Sequence, residues 1–116
     1  MPSDTLFLLS PGFEDPAYPG VRFYCEHCAQ LEGVLSYYPQ AASALDVRRI
    51  PWPRPRTAVV ELVGEHNQWL PLLVLGEGSN DHGCATGSFE GRRFISGKEA
   101  IARWLAARFG IASPHP

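Results

Sequence analysis

Two cysteines, Cys25 and Cys28, stand at the head of a stretch in which Cys28, Leu31, Leu35 and Tyr38 recur at intervals of three and four. That recurrence is one face of a helix. Pro39 ends it, and Gly33 sits inside it at a cost of about 1 kcal/mol relative to alanine. A pair with CxxC spacing at a helix start brings two thiols to one turn, with the first at the helix end and the second one turn in. The pair thus marks where the first helix opens and which of its faces is buried.

The rest of the chain is read around that helix. Thr5 to Leu9 is a short apolar run bounded by Ser10-Pro11-Gly12, which predicts a buried strand. From Pro11 to about Arg22 the prolines and glycines predict a long loop without regular structure. A short extra turn is expected at Gln40–Ala44. Leu45 to Ile50 predicts a second strand, stopped by Pro51 and Pro53. Pro55 suits the first turn of a helix running to Val63, with Gly64 as its C-terminal cap and Val59, Leu62 and Val63 on its buried side. Trp69 to Leu75 is nearly all apolar, and its Pro71 must mark the first residue of a strand or an irregular start. Gly76 to Gly91 reads as a long connection, and Arg92 to Ile95 as a short strand. Ser96-Gly97-Lys98-Glu99 has the form of a capping box. The helix after it should bury Ile101, Trp104, Leu105 and Phe109 and stop at Gly110, leaving residues 112–116 as a flexible tail.

The resulting order is β-α-β-α-β-β-α. The first β-α-β is a parallel unit, and the last two strands, joined without a helix, should be antiparallel. The expected fold class is therefore α/β, a mixed four-stranded sheet flanked by helices, as a single domain over residues 1–116. Length agrees with one domain, and an apolar share of 45% agrees with one core. A formal net charge of −2 points to no nucleic acid and no anionic membrane. No run approaches the roughly 18 apolar residues of a spanning helix. Met1-Pro2-Ser3-Asp4 has no positive leader region, so a cytoplasmic location is the expectation. The three cysteines cannot all pair within the chain. In a reducing compartment a close pair is redox-active or metal-binding more often than structural.

Phe23-Tyr24-Cys25-Glu26-His27-Cys28 and Leu70-Pro71-Leu72-Leu73 together resemble the active-site and cis-proline segments of thioredoxins and glutaredoxins. Phe94-Ile95-Ser96-Gly97 followed by a helix is similar to the end of glutaredoxin-like domains. More closely, Phe23–Pro39, Arg54-Pro55-Arg56, Leu70-Pro71-Leu72 and Pro114-His115-Pro116 resemble a bacterial family known as domain of unknown function 3088. The resemblance implies a thioredoxin-like domain over almost the whole chain. It also implies a cis Pro71 that presents backbone beside Cys25 for a substrate to pair with. The chain departs from ordinary thioredoxins in lacking Trp-Cys-Gly-Pro-Cys, in its longer loop before the cysteines, and in the Pro- and Arg-rich stretch after the second strand.

Thiol–disulfide exchange needs a thiolate attacker and a second thiol that resolves the mixed disulfide. Cys25, at the helix end where unpaired N–H groups favour an anion, is the expected nucleophile, and Cys28 the resolving thiol. His27 favours the thiolate when protonated, and Glu26 opposes it. Pro71, Leu70, Tyr24 and His27 are the expected substrate-binding residues, with Arg54 and Arg56 attracting an anionic partner such as glutathione or an acidic protein. A solvated face with local ion pairs is the competing account of Arg48, Arg49, Arg54 and Arg56. The expected partners are protein thiols or disulfides, or glutathione, and a homodimer is compatible with the chain. No cofactor is expected.

Two other accounts of the cysteines stand beside exchange. One is a non-catalytic binding or assembly module, with the Pro11–Arg22 loop covering the site. The other is zinc. Cys25, Cys28, His82 and Cys84 would make a Cys3His set. However, the third strand should run away from the cysteines and carry His82 and Cys84 to the opposite end of the sheet, leaving Cys84 as a loop thiol. No metal ligand set is therefore assigned within one chain, which leaves a zinc shared across a dimer, or one held by Cys25 and Cys28 with His27 or another histidine, as the forms that metal binding would take. Gly76-Glu77-Gly78 lacks the third glycine of a dinucleotide fingerprint, having Asp81 there, and Gly97-Lys98-Glu99 lacks phosphate-loop spacing. His66 and His115 are expected at the surface, and Trp52, Trp69 and Trp104 in core or rim packing.

Overall fold

The computed structural model of the chain describes residues 3–116. Strand β1 (Thr5–Leu9) lies inside the sheet, and its apolar side chains serve both faces. Leu6 and Leu8 enter one apolar cluster and Phe7 the other. A strand with two-residue side-chain alternation can be apolar throughout only when both faces are covered. The same division repeats in β5 (Leu72–Val74) and its neighbour Leu75, and in β7 (Arg92–Ser96). Leu73, Leu75 and Ile95 lie on the Leu6 face, and Leu72, Val74 and Phe94 on the Phe7 face.

Helices cover the two faces unequally. Helix α1 (Glu26–Tyr37) sends Cys28, Leu31 and Leu35 into the larger cluster. Helix α4 (Lys98–Phe109) adds Ile101, Trp104 and Leu105 to it. On the other face α3 (Thr57–Val63) contributes Val59 and Val63. A short helix, α2 (Pro39–Ala44), leads into β4 (Asp46–Ile50). It occupies the place where a further turn was expected.

The sheet has five strands in the order β4-β1-β5-β7-β6, where β6 is Gly87–Phe89. Strands β1 and β4 are parallel, with Leu9 opposite Ile50, and every other pairing is antiparallel. The expectation of four strands is thus corrected to five. Strand β6 was hidden in a Gly- and Ser-rich stretch expected to be connection. It forms because Glu90 and Gly91 both take positive φ, the two-residue turn that folds a strand back on its neighbour.

Three boundaries also differ from expectation. The segment after Pro11 is a small hairpin of β2 (Phe13–Glu14) and β3 (Arg22–Phe23), not an unstructured loop. Its aromatics hold it: Phe13 lies 6.1 Å from Phe23 and stacks on Trp52 at 5.6 Å. Helix α3 starts at Thr57, because Arg56 takes the cap position and spends its backbone N–H on Gln68 Oε1. Ser96 does not cap α4. It is still paired to Leu72 as the last residue of β7, so Gly97, at φ 96°, makes the turn into the helix.

Candidate functional site

Chain geometry brings the end of β1, the start of α1 and the approach to β5 to one end of the sheet. Cys25 is the N-cap of α1, with extended φ and ψ of −76° and 117°. Its Sγ accepts the backbone N–H of Cys28 at 3.2 Å, in the manner of a capping serine or aspartate oxygen. Cys28 lies one turn in and is 2% exposed, while Cys25 is half-buried. The Cys28 sulfur also accepts the Leu9 N–H at 3.4 Å, which ties it to the end of β1. Both cysteines are free thiols, as is Cys84.

These surroundings separate the two thiols chemically. Burial first, and then the hydrogen bond with Cys25, push the Cys28 thiol up to about 12, against the opposing effect of the Leu9 N–H. Cys28 therefore holds its proton in neutral solution. Cys25 is the sulfur that an external reagent reaches first.

The other residues singled out in the sequence fall into distinct settings. The Leu70–Pro71 peptide is cis. Pro71 is buried immediately before β5, and its carbonyl accepts the Gly97 N–H at 3.3 Å. Half-buried Leu70 packs at the rim of both apolar clusters, and Cys25 at the rim of the larger one. Tyr24 is 67% exposed. His27 is also exposed and borders a shallow depression with Ser96, Lys98 and Arg103, so it faces the start of α4.

The four arginines do not form one group. Arg49 makes a two-bond pair with Glu32 at 2.7 and 2.6 Å, and Arg48 pairs with Asp46 at 2.8 Å. Both are the local ion pairs of a solvated face. Glu32 is held below the usual carboxylate range by the hydrogen bonds from Arg49, against partial burial. Arg54 is exposed. Arg56 is different: it is 8% exposed and is fastened to the Trp52 and Gln68 carbonyls. Burial lowers its basicity, and the positive charge of Arg54 lowers it further. The negative charge that Cys28 and Cys25 can carry opposes both more weakly.

Cys84 belongs to the opposite end. Strand β5 ends with Val74 opposite Thr5, the first residue of β1, and the 76–86 segment leaves from there. Within that segment Cys84 is a loop thiol buried against the larger cluster, 3.6 Å from the His82 carbonyl. His82 is exposed, at φ 50°. Among the described residues no three His, Cys, Asp or Glu side chains gather in a metal-binding group. No helix among them is long and apolar enough to cross a membrane.

Two contributors had no local signature in the sequence. Gln68 reaches across twelve positions to Arg56, and Trp52 supplies it a backbone carbonyl. A tertiary contact between a loop and a helix cap has no periodicity to betray it. Trp69, expected in packing, is instead 64% exposed just before Leu70, whereas Trp104 is fully buried and Trp52 half-buried. A groove of about 640 Å³ lies elsewhere, between α1, α4 and the 111–115 segment, and none of the cysteines lines it.

No curated protein and no solved structure matches the chain. A family model does match, over residues 3–113, and the chain belongs to that family, described as protein of unknown function (DUF3088).

Proposed function

We propose that the chain is a thiol–disulfide oxidoreductase on a thioredoxin-like scaffold, with Cys25 as nucleophile and Cys28 as resolving thiol. The observation that carries this is the pairing of a half-buried Cys25 at the α1 N-cap with a buried Cys28 one turn in, joined by the 3.2 Å contact between Cys28 N–H and Cys25 Sγ. An accessible sulfur and a protected neighbour are the two roles that exchange requires. The sheet supports the scaffold: β4-β1-β5-β7 sets one parallel pair beside two antiparallel pairings, with Cys28 tied to the end of the interior strand β1.

In the reaction, the Cys25 thiolate attacks a substrate disulfide and expels one substrate thiolate. Cys28 then attacks Cys25 Sγ and releases the second, leaving a Cys25–Cys28 disulfide and two electrons on the substrate. A reductant of the dithiol or glutathione class returns the pair to thiols. The substrate is a protein disulfide or a glutathione mixed disulfide. Exposed Tyr24 and Trp69, which immediately precede Cys25 and the Leu70–Pro71 peptide, supply apolar contact for it.

Turnover of insulin and of glutathione mixed disulfides tests the proposal. Cys25→Ser should abolish exchange, while Cys84→Ser should leave it intact. One zinc bound per chain in reduced protein, and lost in Cys25→Ser, would replace exchange with metal binding. A native Cys25 that resists alkylation would favour a non-catalytic binding module.

A further inference from the structure

The groove between α1, α4 and the 111–115 segment holds about 640 Å³, within the roughly 300–1,000 Å³ of small-molecule sites. Helix α1 lines it with Ala29, Gly33 and Tyr37, and α4 with Lys98 and Ala102. From Ala29 to Tyr37 the α1 wall is about 12 Å long, given a rise of roughly 1.5 Å per residue. The third wall is the segment expected as a flexible tail. Gly110, at φ 67°, ends α4, and Ile111 packs against the larger cluster, so the residues after it leave from a fixed point beside the two helices.

Two residues of this groove work against the stability of their own helices. Gly33 lies inside α1, where glycine is among the poorest helix formers. A glycine in such a place is explained when a side chain would collide with a neighbour or when the backbone needs positive φ. At Gly33 a Cβ would meet no atom within 4 Å, and φ is not positive. The protein's own packing gives no reason for this glycine; what the missing side chain keeps open is the groove. Lys98 is the first residue of α4, where the helix end is already partly positive. Glu99 beside it has the sign that this end favours, and Lys98 has the opposite one. Lys98 is half-buried, and among the described residues no ion pair includes it. Its ammonium is thus complementary to an anion that the chain itself does not supply. Local rules broken without an internal compensation are a mark of functional sites.

We propose that this groove binds a small apolar carboxylate, with its hydrocarbon body over Gly33 and its anionic end at Lys98. The body lies against Ala29, Gly33 and Ala102, beside Tyr37, whose side chain is 82% exposed in the empty groove. Withdrawal of these apolar surfaces from water supplies the affinity, and the charge of Lys98 fixes the orientation. None of the three cysteines lines the groove, so the site does not depend on the exchange chemistry.

Naphthoate is the probe, titrated into the reduced full chain and followed by amide chemical shifts. Saturable shifts should gather in residues 29–37, 98–102 and 111–115. Gly33→Leu fills the groove and should weaken binding roughly tenfold, which is what two buried methylene groups contribute. Gly33→Ala, which suits a helix better, should raise the melting temperature and weaken binding in the same direction, so the test stands even where the leucine disturbs α1. Lys98→Gln should weaken naphthoate severalfold and leave uncharged naphthamide unchanged. Shifts gathered at Cys25, Cys28 and Pro71 instead, or no saturation at millimolar naphthoate, would overturn the assignment. So would equal binding of naphthoate and naphthamide to the wild type, or affinities unchanged in Gly33→Ala and Lys98→Gln.

Discussion

The backbone N–H of Leu9, at the last position of β1, donates to the Sγ of Cys28 at 3.4 Å. A strand end and a helix one turn in are thereby joined through a thiol that is 2% exposed. Cys28→Ala removes the acceptor and leaves a small void, and should cost about 1–3 kcal/mol, the penalty of an unmatched buried donor. Cys28→Ser should recover part of that loss. Urea denaturation of the reduced proteins decides; equal stabilities for wild type and Cys28→Ala would show that the contact contributes nothing.

The raised Cys28 thiol fixes the sign of an alkaline transition. A thiol with an ordinary value near 9.0 and a folded value of about 12 keeps its proton in the folded state after the unfolded chain has lost it. The folded protein binds more protons in that window, so stability present below pH 9 should decline as pH rises towards 12. The slope for one group is at most about 1.4 kcal/mol per pH unit. Cys28→Ser, which does not titrate there, should lose less stability over the same range. Parallel pH profiles for the two proteins would contradict the assignment.

The Arg49–Glu32 pair acts in acid. Glu32 is held below its ordinary value of 4.5, so its contribution is present above that value and is lost as pH falls through the lower folded one. Both side chains remain substantially exposed, and an exposed pair contributes about 1 kcal/mol or less. Glu32→Gln should therefore be mildly destabilising at neutral pH and indistinguishable from wild type in strong acid. Stability curves at several pH values would show whether the difference closes.

Gly87 is a steric requirement of the edge strand. A Cβ there would sit 2.5 Å from Cζ of Phe94, whose ring belongs to the α3-side cluster. Gly87→Ala must displace that ring and should cost about 1–3 kcal/mol, the range for overpacking a closed core. Thermal unfolding would test it, and a melting temperature within error of wild type would mean that the ring moves freely.

Trp52 joins the hairpin to the body of the protein by stacking on Phe13 with the rings 4° from parallel. Trp52→Ala should release β2 and β3 while leaving the carbonyl that holds Arg56 in the backbone. Faster amide exchange and proteolysis confined to residues 11–24 is the expected result. Exchange that also accelerates in α1 would mean that the hairpin supports the cysteine helix.

Much of this protein is legible without coordinates. Apolar runs such as Thr5–Leu9 announced strands covered on both faces, and the three- and four-residue spacing from Cys28 to Leu35 announced α1 with its buried side. Pro71 marked the start of β5, and Gly64 and Gly110 marked helix ends. These features follow from the chain's own periodicity and backbone chemistry, so local sequence suffices for them. Features that depend on distant partners were not legible. Strand β6 exists because β7 lies beside it, and the β2–β3 hairpin because Phe13 finds Phe23 and Trp52. Ser96 fails as a cap because Leu72 keeps it in the sheet. The cysteines show the same division. Their spacing determined that Cys25 and Cys28 share one helical turn. Only tertiary packing decided that one is half-buried, the other sealed beneath Leu9, and Arg56 drawn out of solvent by two carbonyls, because burial is a property of what folds over a residue and not of the residue itself.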